Sequence, residues 1–345
     1  MSNLDYTVNV NVLTSAQGVA RAGFDWILLL INPANAEFLG EVRPYLSASE
    51  VDSDADLSSG EKALAKTLFM QKNNPGKLLI GGANELGLGL SEFLAKDPRF
   101  YGVVANAEDF GDDNFGFFSW CEANDKLGFF SSDNAAIKAG TPGNDFLVAQ
   151  AGNFSHGVCL WNNGGALGPA LAWSAAKLHA NPDRFSTVWS HTTLQGITAD
   201  ELTSAERDEI LEANGNVYLP FKGIPVTFPG VVASGAWIDE VVVRDWMVAR
   251  CGEAIAQLLV DVSSLQQKIP YTQEGLEQIA SVVQAVLSRG EAIGHFVAGS
   301  SSVEVPPMEE IPQADKLERT ANLKASVVLA GAISKQINFD VLVTS

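Results

Sequence analysis

The chain has few of the residues that build chemical sites. It holds three cysteines, Cys121, Cys159 and Cys251, odd in number and far apart. No Cys-x-x-Cys spacing occurs, so neither a disulfide framework nor a zinc site is indicated, and a reducing compartment is the simpler inference. The four histidines, His156, His179, His191 and His295, are scattered, with no His-x-x-x-His pair to hold a metal. Each reads as a packed or surface imidazole. Positive charge is scarce: 22 basic residues face 41 acidic ones, for a formal charge of −19. Phosphate backbones need a clustered basic surface, so nucleic acid is disfavoured as a direct partner, while a protein with a basic face is not. Long apolar runs are missing too. Trp26-Ile27-Leu28-Leu29-Leu30-Ile31 is too short to span a membrane or to form a signal-peptide core with a cleavage site, and Met1 to Asp5 has no basic region. No membrane insertion is expected.

The enzyme templates are absent as well. No Gly-x-Ser-x-Gly elbow occurs. Gly81-Gly82-Ala83-Asn84-Glu85-Leu86-Gly87-Leu88-Gly89 follows a strand, but Leu90-Ser91 stands where a phosphate loop needs Lys-Ser/Thr, and the spacing is not that of a dinucleotide fingerprint. Glu108-Asp109 and Asp112-Asp113 lack the order of a calcium loop and read as a solvated loop. The expectation is no catalytic residues, no cofactor, no metal and no enzyme activity.

What is present is a globular pattern, 46% apolar and 18% charged, in a chain long enough for one large core or two ordinary ones. Strands are predicted at 24–31, 77–80, 101–105, 127–131, 157–161 and 186–190. Helices are predicted at 59–71, 86–96, 113–124, 144–151 and 166–180, with a further helix between Leu194 and Asn216. Their alternation predicts an α/β layer with a parallel or mixed sheet. Then Asn216 to Phe221 reads as an extended segment, and a Gly/Pro-rich passage runs to Gly235. A long helix follows from Asp239 to about Ser263, its apolar face drawn through Ile238, Val242, Val248, Ile255, Leu258, Leu259, Val262 and Leu265. Pro270 enforces an extended link, Thr272 caps a second helix, and Gly290 and Gly294 are stop candidates. Arg244-Asp245 reads as a local ion pair. A Ser/Pro/Glu passage, 299–312, reads as a linker or surface loop.

Both ends alternate. Tyr6, Val8, Val10 and Val12 share one side of a predicted strand, and Ile337, Phe339, Val341 and Val343 share one side of another. Such strands can pair within their own subunit or add to a neighbour's sheet, and the pattern leaves both open.

The ordered set Asn216-Val217-Tyr218, Ala233-Ser234-Gly235-Ala236-Trp237-Ile238-Asp239, Arg244-Asp245-Trp246 and Lys268-Ile269-Pro270-Tyr271-Thr272-Gln273-Glu274-Gly275 resembles the C-terminal half of contractile tail sheath proteins of tailed bacteriophages and related injection systems. The likeness is clearest over 195–345. It implies an inner α+β domain built from both chain termini with an inserted α/β outer domain: residues 1–20 as an N-terminal arm, 21–209 as the outer domain, and 210–345 as the inner domain with a C-terminal arm. It also implies exchange of arm strands between subunits, carried by the eight terminal residues just named. Rings of about six copies would stack helically around a tail tube and contract to drive it through a host envelope. Implied partners are other copies of the chain, the tube protein, and baseplate and terminator proteins. The implied location is the virion tail, after assembly in the host bacterial cytoplasm. Glu274, Glu277, Gln278 and Arg289 are candidates for facing the tube. The competing readings are an α/β enzyme with a site at the C-terminal strand ends of 80–190, or a capsid or adaptor protein.

Overall fold

Ile27 to Ile31 offers no polar side to water, so it is stable only as a strand covered on both faces. In the computed structural model, which describes residues 21–110 and 114–333, all five of these residues are buried. They form β1 (Ile27–Ile31) at the centre of an eight-stranded sheet. The other strands are β2 (Val42–Tyr45), β3 (Leu78–Gly82), β4 (Gly102–Val104), β5 (Leu127–Ser132), β6 (Gly157–Trp161), β7 (Asn216–Phe221) and β8 (Ile224–Phe228). The spatial order is β2-β3-β1-β4-β5-β6-β7-β8. Strands β3, β1, β4, β5, β6 and β7 run parallel, and β2 and β8 close the two edges antiparallel.

Helices cover both faces, as parallel strands require. They are α1 (Ala48–Ser53), α2 (Ser59–Met70), α3 (Leu86–Lys96), α4 (Asn114–Ala123), α5 (Ala135–Lys138), α6 (Asp145–Ala151), α7 (Gly168–Leu178) and α8 (Ser204–Glu212). Alternate strand residues feed two cores. Ile27, Leu29, Leu127 and Phe129 pack with Leu68 of α2 and Leu171 and Trp173 of α7. Leu28, Leu30 and Phe130 pack with Phe93 of α3, Phe117 and Phe118 of α4, and Phe146 of α6. The two glycines that end β3 serve this packing. A Cβ on Gly81 would lie 2.6 Å from the Phe93 ring, and one on Gly82 would lie 2.4 Å from the Phe38 carbonyl oxygen.

Two long helices follow the sheet: α9 (Ile238–Ser264) and α10 (Gln273–Ile293). They form an antiparallel hairpin. Ile238, Val241, Val242, Val243 and Trp246 of α9, with Val283 and Leu287 of α10, join the core on the α2/α7 face. The hairpin turn depends on Gly275, where a Cβ would fall on the carbonyl oxygen of Pro270, and on Thr272, whose hydroxyl caps Gly275 N. Beyond lie β9 (Ser302–Glu304), α11 (Gln313–Glu318) and β10 (Lys324–Ser326). Here β9 and β10 form a separate antiparallel pair.

Several expectations are corrected. Residues 186–190 join no ladder. They run extended beside α7, with Trp189 buried and its carbonyl accepting from Trp173 Nε1 and Thr227 Oγ1. The Gly/Pro-rich passage contains β8, and 32–60 contains β2 and α1. The 299–312 passage contains β9. The expected α9 face is buried only at Ile238 and Val242, while Val248 is 64% and Leu265 69% exposed. The helix runs past the body, and from Cys251 to Leu265 no residue is buried. The eight-stranded sheet itself spans β1 to β8, on both sides of residue 210, which lies within α8.

Gly290 is no stop but an interior helix residue. A Cβ there would lie 2.3 Å from the Phe296 ring and 3.2 Å from Trp246. Alanine is worth about 1 kcal/mol over glycine in a helix interior. Overpacking costs about 1–3 kcal/mol, so Gly290→Ala is expected to destabilise, read as a lowered urea midpoint at unchanged slope.

Candidate functional site

The site worth building is where the two ends of the described chain rejoin the helical hairpin. On α9, Ile238, Val242, Trp246 and Arg250 follow at intervals of four and so line one stripe. An arginine in a buried stripe needs partners for five N–H donors. Arg250 is 6% exposed and uses all five. Nε and Nη2 form a fork on Asp183, at 2.8 and 2.9 Å. Nη1 donates to both carboxylate oxygens of Glu253, at 2.8 and 2.9 Å. Nη2 also donates to the Ala22 carbonyl at 2.9 Å. Ala22 N in turn donates to Glu253 Oε1 at 2.6 Å. The backbone at the start of the described chain is therefore held at its N–H and its C=O by one ion pair of α9.

Asp183 is the hub of this clamp. It also accepts from Trp246 Nε1 and Arg21 Nη2, both at 2.8 Å. Burial alone would raise its carboxyl pKa. The bonds from Arg250 and Trp246, with the charges of Arg250 and Arg21, outweigh burial and hold it at about 2. From α10, Arg289 Nη2 reaches the Asp183 carbonyl at 3.0 Å. The loop of Asp183 thus ties both hairpin helices to the segment at Arg21 and Ala22.

The other end returns to the same hairpin. Gly294 closes α10 in a left-handed conformation at φ +92, which glycine adopts at no steric cost. The chain then pairs with its own C-terminal segment: Phe296 bridges Leu329, Val297 N donates to Val328 O, and Ala330 N donates to His295 O. Phe296 is buried beside Trp246, whose indole also packs on His295. Strands β9 and β10 continue this seam, with Ala325 opposite Val303. Among the described residues, neither outer edge of that pair is taken by another strand. The large sheet differs. Its edge strands carry Pro44 and Pro225, which have no N–H to offer an incoming strand, and Thr227 of β8 already exchanges bonds with His191 and Thr192.

Of the sequence candidates, Tyr6, Val8, Val10, Val12, Ile337, Phe339, Val341 and Val343 lie outside the described residues. Glu274, Glu277 and Gln278 are exposed on one side of α10. Arg289 is exposed but bonded to the Asp183 loop, about 22 Å along the helix from Glu274. Arg244-Asp245 is not a pair. Asp245 accepts from Tyr101 Oη at 2.6 Å and lies 3.1 Å from His156 Nε2, because consecutive helix residues point apart. The Asp183–Arg250–Glu253 set was not foreseen. Its one sequence signal is an arginine four residues after Trp246 on an apolar stripe.

Compared with solved structures, the chain has the fold of contractile sheath proteins. It aligns over 100% of its length with 100% of a chain in the anti-feeding prophage baseplate, at TM-score 0.67 and 10% identity. It aligns over 94% with 94% of a chain in the PVC sheath complex of an extracellular contractile injection system in the contracted state, at TM-score 0.65 and 11% identity. It aligns over 91% with 96% of the sheath tail protein from Listeria innocua, at TM-score 0.57 and 10% identity. Residues 238–319 match the family described as E217 tail sheath protein gp31-like, C-terminal domain. That stretch holds α9, α10, β9 and α11, and with them Arg250 and Glu253. No curated protein matches by sequence.

Proposed function

We propose that this chain is the repeating subunit of a contractile tail sheath: a structural protein that polymerises around a tail tube and shortens to drive it through a host envelope. The observation that carries the reading is the tail-sheath match over 238–319, on the hairpin where both ends of the described chain are anchored. Residues 1–20 and 334–345 adjoin those anchors in sequence, and the alternating patterns at Tyr6 to Val12 and Ile337 to Val343 suit strands that pair with adjacent copies. The free edges of β9 and β10 are the natural acceptors. The proline-bearing edges of the large sheet are not. Two rigid packings joined by strands that keep their pairing would give the extended and shortened states. The exposed side of α10 at Glu274, Glu277 and Gln278 faces the tube in this reading, with baseplate and terminator proteins at the two ends of the sheath. Assembly takes place in the host bacterial cytoplasm, and the subunit ends in the tail of the particle. The proposed division keeps 1–20 as an N-terminal arm, 21–209 as the outer part and 210–345 as the inner part with its C-terminal arm; the tail-sheath match over 238–319 lies within the last of these.

The test is negative-stain microscopy of the purified full-length chain. Hollow tubes of uniform diameter are expected at high protein concentration. A strictly monomeric protein under all conditions, or closed shells, would overturn the reading.

A further inference from the structure

His156 opens β6 from the side of the sheet and faces two carboxylates at once. Its Nδ1 lies 3.2 Å from Glu122 Oε2 on α4, and its Nε2 lies 3.1 Å from Asp245 Oδ2 on α9. A carboxylate oxygen only accepts, and neutral imidazole has a single N–H. Both contacts are hydrogen bonds only if the ring carries both protons. The acceptors are held in place by other bonds. Glu122 Oε2 also accepts from the backbone N–H groups of Ser155 and His156, at 2.8 and 3.0 Å, and Asp245 accepts from Tyr101 Oη. His156 is 8% exposed, so water does not readily replace a lost bond.

We propose that His156 is a proton-dependent clasp that fastens α9 to the sheet, so that the joint between sheet and hairpin is tight while the imidazole is charged and loosens when it loses a proton. The proposal concerns the subunit alone and does not rest on the sheath reading. Deprotonation removes one donor and leaves a lone pair against a carboxylate. The two charges that face the ring oppose that loss: Glu122 from α4 and Asp245 from α9. Behind Asp245 lie Tyr101, from the segment before β4, and Asp125 and Lys126, from the turn into β5, with the buried Cys121 thiol of α4 beside Lys126. Lys126 is the one cation among them, and its Nζ is directed to the Phe100 carbonyl. Burial by itself would lower the pKa of the histidine. The bonds and charges of Asp245 and Glu122 outweigh burial and raise it above the ordinary 6.5. A base with a raised folded pKa stabilises fully below its unfolded value and loses that contribution as pH rises through the folded one. The clasp is therefore complete below about pH 6.5 and opens above it, toward the alkaline side.

Two measurements on the full-length chain test this. Nitrogen-15 NMR of the His156 ring followed across pH is expected to show both nitrogens protonated below about pH 6.5, with the second proton lost only above that value. A ring that loses its second proton at or below about pH 6.5 overturns the proposal, and this reading needs no variant. Denaturation of the wild type and His156→Gln across the range from about pH 6 to pH 9 is the second. The amide keeps one donor but cannot titrate. The wild-type advantage should shrink with rising pH, by a factor of about ten in the folding equilibrium constant for each unit by which folding raises the pKa. A difference that stays constant with pH overturns the proposal. Glu122→Gln and Asp245→Asn should each bring the His156 titration down toward its ordinary value.

Discussion

Arg250→Ala is expected to cost about 3–5 kcal/mol, the range for removing one partner of a buried ion pair and leaving the other charge unmatched. The variant leaves Asp183 with only Trp246 Nε1 and the exposed Arg21, leaves Glu253 without its buried partner, and frees the Ala22 carbonyl. Guanidine denaturation should show the loss, and faster proteolysis near Arg21 should show that segment coming away from α9. Arg250→Lys is expected to restore only part of it, because a single ammonium cannot reproduce a fork on Asp183 together with bonds to Glu253 and a backbone carbonyl. Arg21→Ala is the informative control. Its side chain is 53% exposed, and exposed pairs contribute about 0–1 kcal/mol, so that change should be nearly silent. A large effect of Arg21→Ala with a small effect of Arg250→Ala would reverse the assignment. The sign with pH follows from Asp183. Its folded pKa is depressed from 3.8 to about 2. Its contribution is therefore present above about pH 3.8 and lost as pH falls through about 2.

Removal of residues 1–20, or of 334–345, is expected to abolish polymerisation while leaving the subunit folded. The two cores described above are built from residues between Phe24 and Phe296, all of which both truncated chains keep. The measurement pairs thermal unfolding with negative-stain microscopy. Native unfolding with no tubes is the expected pair of results. Tubes from either truncated chain would sink the exchange of end strands. Loss of folding would show that the segments pair within their own subunit.

The sequence made some of this legible and hid the rest for physical reasons. Strands β1, β3, β4 and β6 are runs of apolar residues and glycine, β5 and β7 hold apolar stretches beside polar residues, and the interiors of all six were placed correctly. The capped helix α10 was legible from Thr272, and α2 from Ser58, whose hydroxyl accepts from Glu61 N. The edge strands β2 and β8 were missed because each is short and contains a proline, a residue that counts against a strand unless one already knows the strand is at an edge. The segment 186–190 has a strand-like composition, but its backbone makes no ladder; the backbone bonds to β8 fall just past it, at His191 and Thr192. Periodicity found the α9 stripe but could not say where the body beneath it ended, and so extended burial into a half of the helix that has none. The clamp was invisible for a different reason. Asp183 and Arg250 are 67 residues apart, and only the fold brings them together. Neighbours in sequence misled instead: Arg244 and Asp245 suggested a pair, while Asp245 turns inward to Tyr101 and His156.

The prolines on both rims of the large sheet carry a consequence for engineering and for divergence alike. A body that does not template strands from its margins does not recruit neighbours by edge pairing. Loops at those two rims can then be recoded without opening a new edge for another copy to add to. This is consistent with a sheath-like architecture over the whole length at 10–12% identity, while the recognisable sequence signature stays within 238–319.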